Sequence, residues 1–115
     1  MGTTTPDGLA HQVSHFWTST AYYASLGYDR LAAVSFILDE AGPLDGPVLD
    51  VGTGMGITAR GLADRGLEVT SVDPNAEDQA VAAALTEQPA QRSRIRFMVT
   101  SASALPFPDG HFGAA

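Results

Sequence analysis

The 115-residue sequence contains no cysteine, and its six basic side chains are all arginine. Without cysteine the chain cannot form a disulfide framework or a thiolate zinc site. Thirteen acidic residues give a formal net charge of −7, which disfavours nucleic acid and anionic membranes as partners because both require basic surfaces. The three histidines, at positions 11, 15 and 111, are too scattered along the chain to predict a metal site.

Long apolar runs are also missing. No stretch approaches the roughly 20 apolar residues that a membrane-spanning helix requires. The N-terminal segment MGTTTPDGLA lacks the basic and apolar regions of a signal peptide. We therefore expect a cytoplasmic protein with no membrane association, and the hydrophobic fraction of 44% indicates a folded globular domain.

The pattern of apolar residues predicts helices first and then alternating strands and helices. Residues 1–10 are predicted to be a flexible tail, 11–41 to form N-terminal helices, and 46–115 to form one α/β unit. Within that unit the predicted strands are 48–51, 68–73 and 94–100, and the predicted helices are 56–66 and 74–88. Asn75 is expected to cap the second of these helices, and Pro89 to end it.

Strands that alternate with helices of this length indicate crossover units and a parallel sheet. The right-handed crossover rule then places the second strand beside the first and the third strand beyond the second. In such sheets ligands bind at the carboxyl ends of the strands. The first strand ends at a glycine-rich segment, which is therefore the first candidate for a binding site.

That segment, VLDVGTGMG at residues 48–56, has glycine at three alternate positions after an acidic residue, Asp50. Glycine adopts the backbone angles of a tight strand-to-helix turn and lets a ligand lie directly on the backbone. The dinucleotide pattern Gly-x-Gly-x-x-Gly would need a small residue at position 57, which is isoleucine here. Asp50 also suits an ammonium group better than a diphosphate. The segment predicts a flat ligand with a positive charge at one end.

A second acidic residue, Asp73, ends the second predicted strand, 19 residues after Gly54. A carboxylate in that place can accept hydrogen bonds from a ribose diol. S-adenosylmethionine carries both an ammonium group and a ribose, whereas NAD carries only the ribose. The pair Asp50 and Asp73 therefore favours S-adenosylmethionine.

The segments LDVGTGMG, VTSVDPN and LPFPDGHF follow one another in this order. Together they resemble the N-terminal half of class I S-adenosylmethionine-dependent methyltransferases, in particular the broad group that acts on small molecules. The similarity extends over residues 28–113. It implies an α/β fold, a Rossmann-like three-layer sandwich with a parallel sheet, truncated here after about three to four strands and preceded by N-terminal helices.

The resemblance also implies roles for residues at the strand ends. Asp50, Gly52 and Gly54 would line the methionine end of the cofactor, and Gly56 would make a close helix contact. Asp73 would bind the ribose hydroxyls. The full set of predicted cofactor-binding residues is Asp50, Gly52, Thr53, Gly54, Gly56, Asp73, Pro74, Asn75, Ser101 and Ala102.

At the adenine end the sequence departs from the family pattern. Pro74 and Asn75 would flank the adenine, but Ser101 stands where family members usually carry an acid that holds the adenine amino group. Gly113 stands where they usually carry aspartate. No catalytic base is predicted, because most catalytic and acceptor-binding groups of the family lie on later strands.

Three functions follow as hypotheses. The first is a methyltransferase that uses S-adenosylmethionine and acts on a small molecule. The second is an inactive module or partner subunit that binds S-adenosylmethionine or S-adenosylhomocysteine. The third, which Asp50 and Ile57 disfavour, is an NAD-binding oxidoreductase domain. We also expect the first strand, VLDV, to expose an unpaired edge, which would be covered by a homodimer or by a partner chain.

Overall fold

The computed structural model describes residues 6–107 and 110–114. The helices are α1 (Pro6–Ser25), α2 (Arg30–Ala41), α3 (Ile57–Asp64), α4 (Ala76–Leu85) and α5 (Pro89–Arg92), with a 3₁₀ turn at Ala102–Ala104. The strands are β1 (Val48–Val51), β2 (Val69–Asp73) and β3 (Ile95–Val99). No helix in these described ranges is both long enough and apolar enough to cross a membrane.

The three strands form one parallel sheet in the order β1-β2-β3, as predicted from the crossover rule. The register aligns Val48, Val69 and Ile95 in one row. Asp50, Ser71 and Phe97 form the next row on the same face of the sheet, toward the carboxyl ends of the strands. The α/β, Rossmann-like fold class predicted from the sequence is confirmed.

Most of the apolar core lies between the sheet and the helices α2 and α3. The first row of strand residues packs there against α3, with Leu38 of α2 and several small or branched side chains. This core cluster contains Leu38, Val48, Ala59, Leu62, Ala63, Val69 and Ile95. Because α3 and α4 each connect neighbouring strands in the same direction along the sheet, the right-handed rule places both on this face.

Helix α1 begins five residues earlier than the sequence indicated. The predicted flexible tail over 1–10 is therefore wrong for residues 6–10, whereas residues 1–5 lie outside the described residues. Leu9, Val13 and Phe16 follow helical spacing, and Leu9 and Val13 pack against a second cluster formed by Phe16, Val81 and Leu85. This packing extends the helix toward its N-terminus, and Pro6 is tolerated in its first turn because its missing N–H would be unpaired there anyway.

The region after α4 also differs from the prediction. The helix predicted over 74–88 ends at Leu85, and Pro89 begins the short helix α5 instead of only ending a longer one. Proline has the backbone φ angle that a first helical residue needs, which makes it a start signal as well as a stop signal. The N-cap prediction is confirmed, because the Asn75 side chain accepts hydrogen bonds from the backbone N–H groups of Glu77 and Asp78.

The chain returns to the free side of β1 near its C-terminus. Ala114 forms a parallel bridge with Val48, and the Leu49 N–H donates to the Ala114 carbonyl at 2.9 Å. The expected bare edge of β1 is therefore wrong at Val48 and Leu49. A homodimer stays a prediction.

Gly113 has a local reason to be glycine. A Cβ atom there would collide with the carbonyl oxygen of Asp45 and would lie 2.9 Å from the carbonyl carbon. The Gly113 N–H also donates to the Pro47 carbonyl at 2.8 Å. The aspartate that family members usually carry at this position would not fit this backbone.

Candidate functional site

The glycine turn between β1 and α3 leaves an open surface at the carboxyl edge of the sheet. Gly52, Gly54 and Gly56 have φ angles of +85°, +54° and +80°, the left-handed region that other residues rarely adopt. Apart from adjoining residues, no described heavy atom lies within 4 Å of a Cβ built at Gly52 or Gly54. The backbone over these two glycines is thus accessible from outside.

Gly56 serves a different purpose from the first two glycines. A Cβ atom there would lie 2.8 Å from Arg60 Nη1 and 3.2 Å from the Cβ of Ala82. Gly56 therefore allows the start of α3 to pack closely against α4.

Asp50 lies on β1 directly before this turn and is half-buried. The Ser71 hydroxyl donates to its Oδ2 atom at 2.7 Å. Its Oδ1 atom accepts no hydrogen bond from the described residues, and it is not among their buried unpaired atoms, so it reaches the surface. Burial raises the pKa of Asp50 above its ordinary value of 3.8, the Ser71 hydrogen bond lowers it, and the negative charge of Asp73 raises it.

Asp73 connects the end of β2 to its neighbours on both sides. Its Oδ1 accepts from the Asn75 N–H at 2.8 Å, and its Oδ2 lies 3.4 Å from the Gly54 N–H. Its own carbonyl accepts from the Thr100 N–H at 3.1 Å. Each carboxylate oxygen has a second lone pair, so Asp73 can hold the turn and still accept hydrogen bonds from a ligand.

A chain of buried polar side chains runs beneath the site. The Gln79 amide nitrogen of α4 lies 2.9 Å from Thr53 Oγ1, which lies 2.7 Å from Ser71 Oγ. Ser71 in turn donates to Asp50. Gln79, Thr53 and Ser71 are between 0% and 5% exposed, so the bonds between them are sheltered from water.

The predicted site residues therefore meet at one edge of the sheet, but some of their side chains are already engaged. Thr53 is buried and its hydroxyl bonds to Ser71 beneath the site, so its side chain does not face a ligand. The Asn75 side chain caps α4. Ser101 caps the 3₁₀ turn through the Ser103 N–H, and Ala102 begins that turn. Pro74 is exposed.

Sequence reasoning missed Ser71 and Gln79. Both are uncharged polar residues at positions that face the core: Ser71 shares its strand face with Val69, and Gln79 lies one helical turn before the buried Ala82. A polar residue within a buried apolar stripe was the available signal.

In the ranges 6–107 and 110–114, no group of three acidic or histidine side chains could hold a metal ion.

A family model described as a methyltransferase domain matches residues 48–115, which is more than half of the chain. The chain belongs to this methyltransferase domain family. The resemblance to class I S-adenosylmethionine-dependent methyltransferases that the sequence shows is thereby confirmed.

Solved structures of one methyltransferase are similar to this chain. The chain is similar to the glycopeptide N-methyltransferase MtfA complexed with S-adenosyl-L-methionine, at 25% identity over 65% of this chain and 34% of that one, with a TM-score of 0.56. The complex of the same enzyme with sinefungin matches at 28% identity over 73% and 34% of the two chains, with a TM-score of 0.59.

A curated relative from Beutenbergia cavernae is named demethylmenaquinone methyltransferase. It is 33% identical over 108 residues, which are 93% of this chain and 42% of the relative. The chain thus spans less than half the length of this relative.

Proposed function

We propose that this chain carries the S-adenosylmethionine site of a methyltransferase that acts on a small molecule. The observation that carries the proposal is the open backbone at Gly52 and Gly54, which lies between the carboxylates of Asp50 and Asp73. Side chains at the two glycines would occupy the space that a ligand needs. The two carboxylates suit the two ends of one ligand, an ammonium group and a ribose.

Asp50 fits the methionine end of this cofactor. Its surface-reaching Oδ1 can accept from an ammonium group while Oδ2 stays bonded to Ser71. An ammonium ion would also reduce the cost of keeping a half-buried carboxylate charged. An anionic diphosphate would increase that cost, and this argues against NAD.

Asp73 fits the ribose end. Hydrogen bonds from ribose hydroxyls to a carboxylate are charge-assisted and are about twice as strong as neutral ones. Beyond it, Pro74 and Asn75 would border the adenine on one side, and the backbone of Ser101 and Ala102 would border it on the other. The bond from Thr100 to the Asp73 carbonyl brings these two segments together.

The chemistry that the bound cofactor supplies is transfer of its sulfonium methyl group to a nucleophile, with S-adenosylhomocysteine as the product and a proton lost from the acceptor. The described residues of this chain would bind and orient the methyl donor. Orientation is a large part of catalysis in a displacement with a good leaving group. No described residue is assigned as the base.

A small organic molecule is proposed as the acceptor class. The relatives named above act, by their names, on demethylmenaquinone and on a glycopeptide. The net charge of −7 disfavours a nucleic-acid acceptor, since nucleic-acid binding needs a basic surface.

Isothermal titration with S-adenosylmethionine, S-adenosylhomocysteine and NAD tests the cofactor assignment. We expect both sulfur nucleosides to bind and NAD not to bind. Binding of NAD alone would overturn the proposal. Transfer of a radiolabelled methyl group to a panel of small acceptors then separates an enzyme from a module that only binds the cofactor.

A further inference from the structure

We propose that Gln79, Thr53 and Ser71 form a directed chain of hydrogen bonds that positions the Asp50 carboxylate for the ammonium group of the cofactor. This inference deepens the proposed function and rests on it for the identity of the ligand. The three residues act through Asp50, so they are positioning residues.

The direction of the chain follows from its first member. The Gln79 amide nitrogen lies 2.8 Å from the Met98 carbonyl and 3.2 Å from the Ser71 carbonyl. Carbonyls only accept hydrogen bonds, so this end of the amide must be the NH₂ group. The NH₂ group has two hydrogens, which we assign to its two shortest contacts, the Met98 carbonyl at 2.8 Å and Thr53 Oγ1 at 2.9 Å. Because an amide nitrogen does not accept hydrogen bonds, the contact with Thr53 Oγ1 is a donation to Thr53.

The last member fixes the remaining bonds. The Ser71 hydroxyl has one hydrogen, which it donates to Asp50 Oδ2 at 2.7 Å. In the bond between the two hydroxyls, Thr53 must therefore be the donor and Ser71 the acceptor. Every bond thus points from α4 toward the carboxylate, and hydrogen bonds aligned in one direction strengthen one another.

A purely structural role explains Gln79 poorly. Within the part of the chain that the structure describes, its Oε1 atom is buried without a hydrogen-bond partner. An unpaired buried acceptor destabilises the folded state, and an apolar side chain in this place would avoid that cost. The NH₂ group, in contrast, has its two shortest contacts with β3 and the glycine turn and lies 3.2 Å from the Ser71 carbonyl of β2.

The hydrogen-bond chain explains how Asp50 can carry a negative charge in its half-buried position. Burial and the neighbouring charge of Asp73 both favour the protonated form, and the Ser71 hydrogen bond is the contact that favours the charged form. Among the described residues, Asp73 is the charged group that acts on Asp50. The three side chains of the hydrogen-bond chain are neutral. The free Oδ1 is left for the ligand.

Titration of the Asp50 carboxyl by carbon-13 NMR tests the hydrogen-bond chain without any cofactor. Ser71→Ala removes the donor to Asp50, so the pKa of Asp50 should rise. Thr53→Val removes the donor to Ser71 and keeps the shape, so the pKa should rise by a smaller amount. Thr86→Val is the matched control, because Thr86 is equally buried but its hydroxyl donates to the Ala82 carbonyl within α4. It should leave Asp50 unchanged.

Cofactor affinity as a function of pH supplies the second measurement. Below the pKa of Asp50, affinity for S-adenosylmethionine should fall about tenfold for each unit by which a variant raises that pKa. If the pKa of Asp50 is unchanged in Ser71→Ala, or rises by the same amount in Thr86→Val, the proposed hydrogen-bond chain is wrong even if the wild type binds the cofactor. If the wild type binds neither sulfur nucleoside, the proposed function fails. The NMR titration then still shows whether the hydrogen-bond chain acts on Asp50.

Discussion

The same face of the sheet changes from a structural core to a polar site within one row of residues. Val48, Val69 and Ile95 form a buried apolar row against α3. In the next row on this face, two residues further along each strand, Asp50 and Ser71 stand where that core would otherwise continue, whereas Phe97 of β3 still packs against it. The first row therefore supplies stability, and the next row places Asp50, supported by the buried Ser71, where a ligand can reach it.

The comparison predicts that the largest effect on folding comes from the core end. Leu62 is 3% exposed and packs in the core cluster. Leu62→Ala should lower the free energy of unfolding by about 2–5 kcal/mol, because it removes buried methyl groups and leaves a cavity. Urea denaturation measures this change. Cofactor affinity of the folded fraction should be unchanged, and a weaker affinity there would show that core and site are coupled.

Asp73→Ala should have the largest effect at the site. Hydrogen bonds to a charged group contribute about 1.5–3 kcal/mol each, so the loss of the ribose acceptors should weaken S-adenosylhomocysteine at least tenfold in titration calorimetry. Asp73→Asn keeps the shape and one acceptor oxygen, so its loss should be smaller. Wild-type affinity in the alanine variant would refute the ribose assignment.

Asp50→Asn should separate binding from stability. Loss of the ammonium contact should weaken S-adenosylmethionine by about 10–100-fold. Because the folded-state pKa of Asp50 lies above 3.8, the native state binds this proton more tightly than the unfolded chain does. The stability that Asp50 contributes is therefore fully present below pH 3.8 and is lost as the pH rises through the folded-state pKa.

Asparagine does not ionise, so at pH 7 the Asp50→Asn variant should melt at a higher temperature than the wild type. In acid, where the wild-type Asp50 is protonated, this difference in melting temperature should disappear. Its side-chain oxygen can still accept from Ser71, so the buried chain is kept. Scanning calorimetry at several pH values measures the difference. A variant less stable than the wild type at pH 7 would contradict the sign of the pKa shift.

The parts of the molecule that the sequence predicted well are those governed by local rules. The strand order followed from the crossover rule, and the cap at Asn75 followed from side-chain chemistry. The start of α1 was missed because Leu9 and Val13 pack against a cluster that includes Val81 and Leu85 of α4, and this packing is a tertiary contact. The bonds from Gln79 to Thr53 and from Ser71 to Asp50 span 26 and 21 residues, and no local pattern encodes such distances.

The smallest expected effect tests whether the open backbone at Gly52 is a ligand surface or only a tight turn. Gly52 and Gly27 have φ angles of +85° and +93°, and at both a Cβ would meet no described atom within 4 Å. Gly27 lies in the turn between α1 and α2. Alanine at either position should therefore cost about 1–2 kcal/mol of stability through backbone strain alone. Only Gly52→Ala should also weaken S-adenosylmethionine, because its methyl group would enter the space of the ligand. Equal affinities of the two variants in titration calorimetry would reduce the glycine turn to a structural feature.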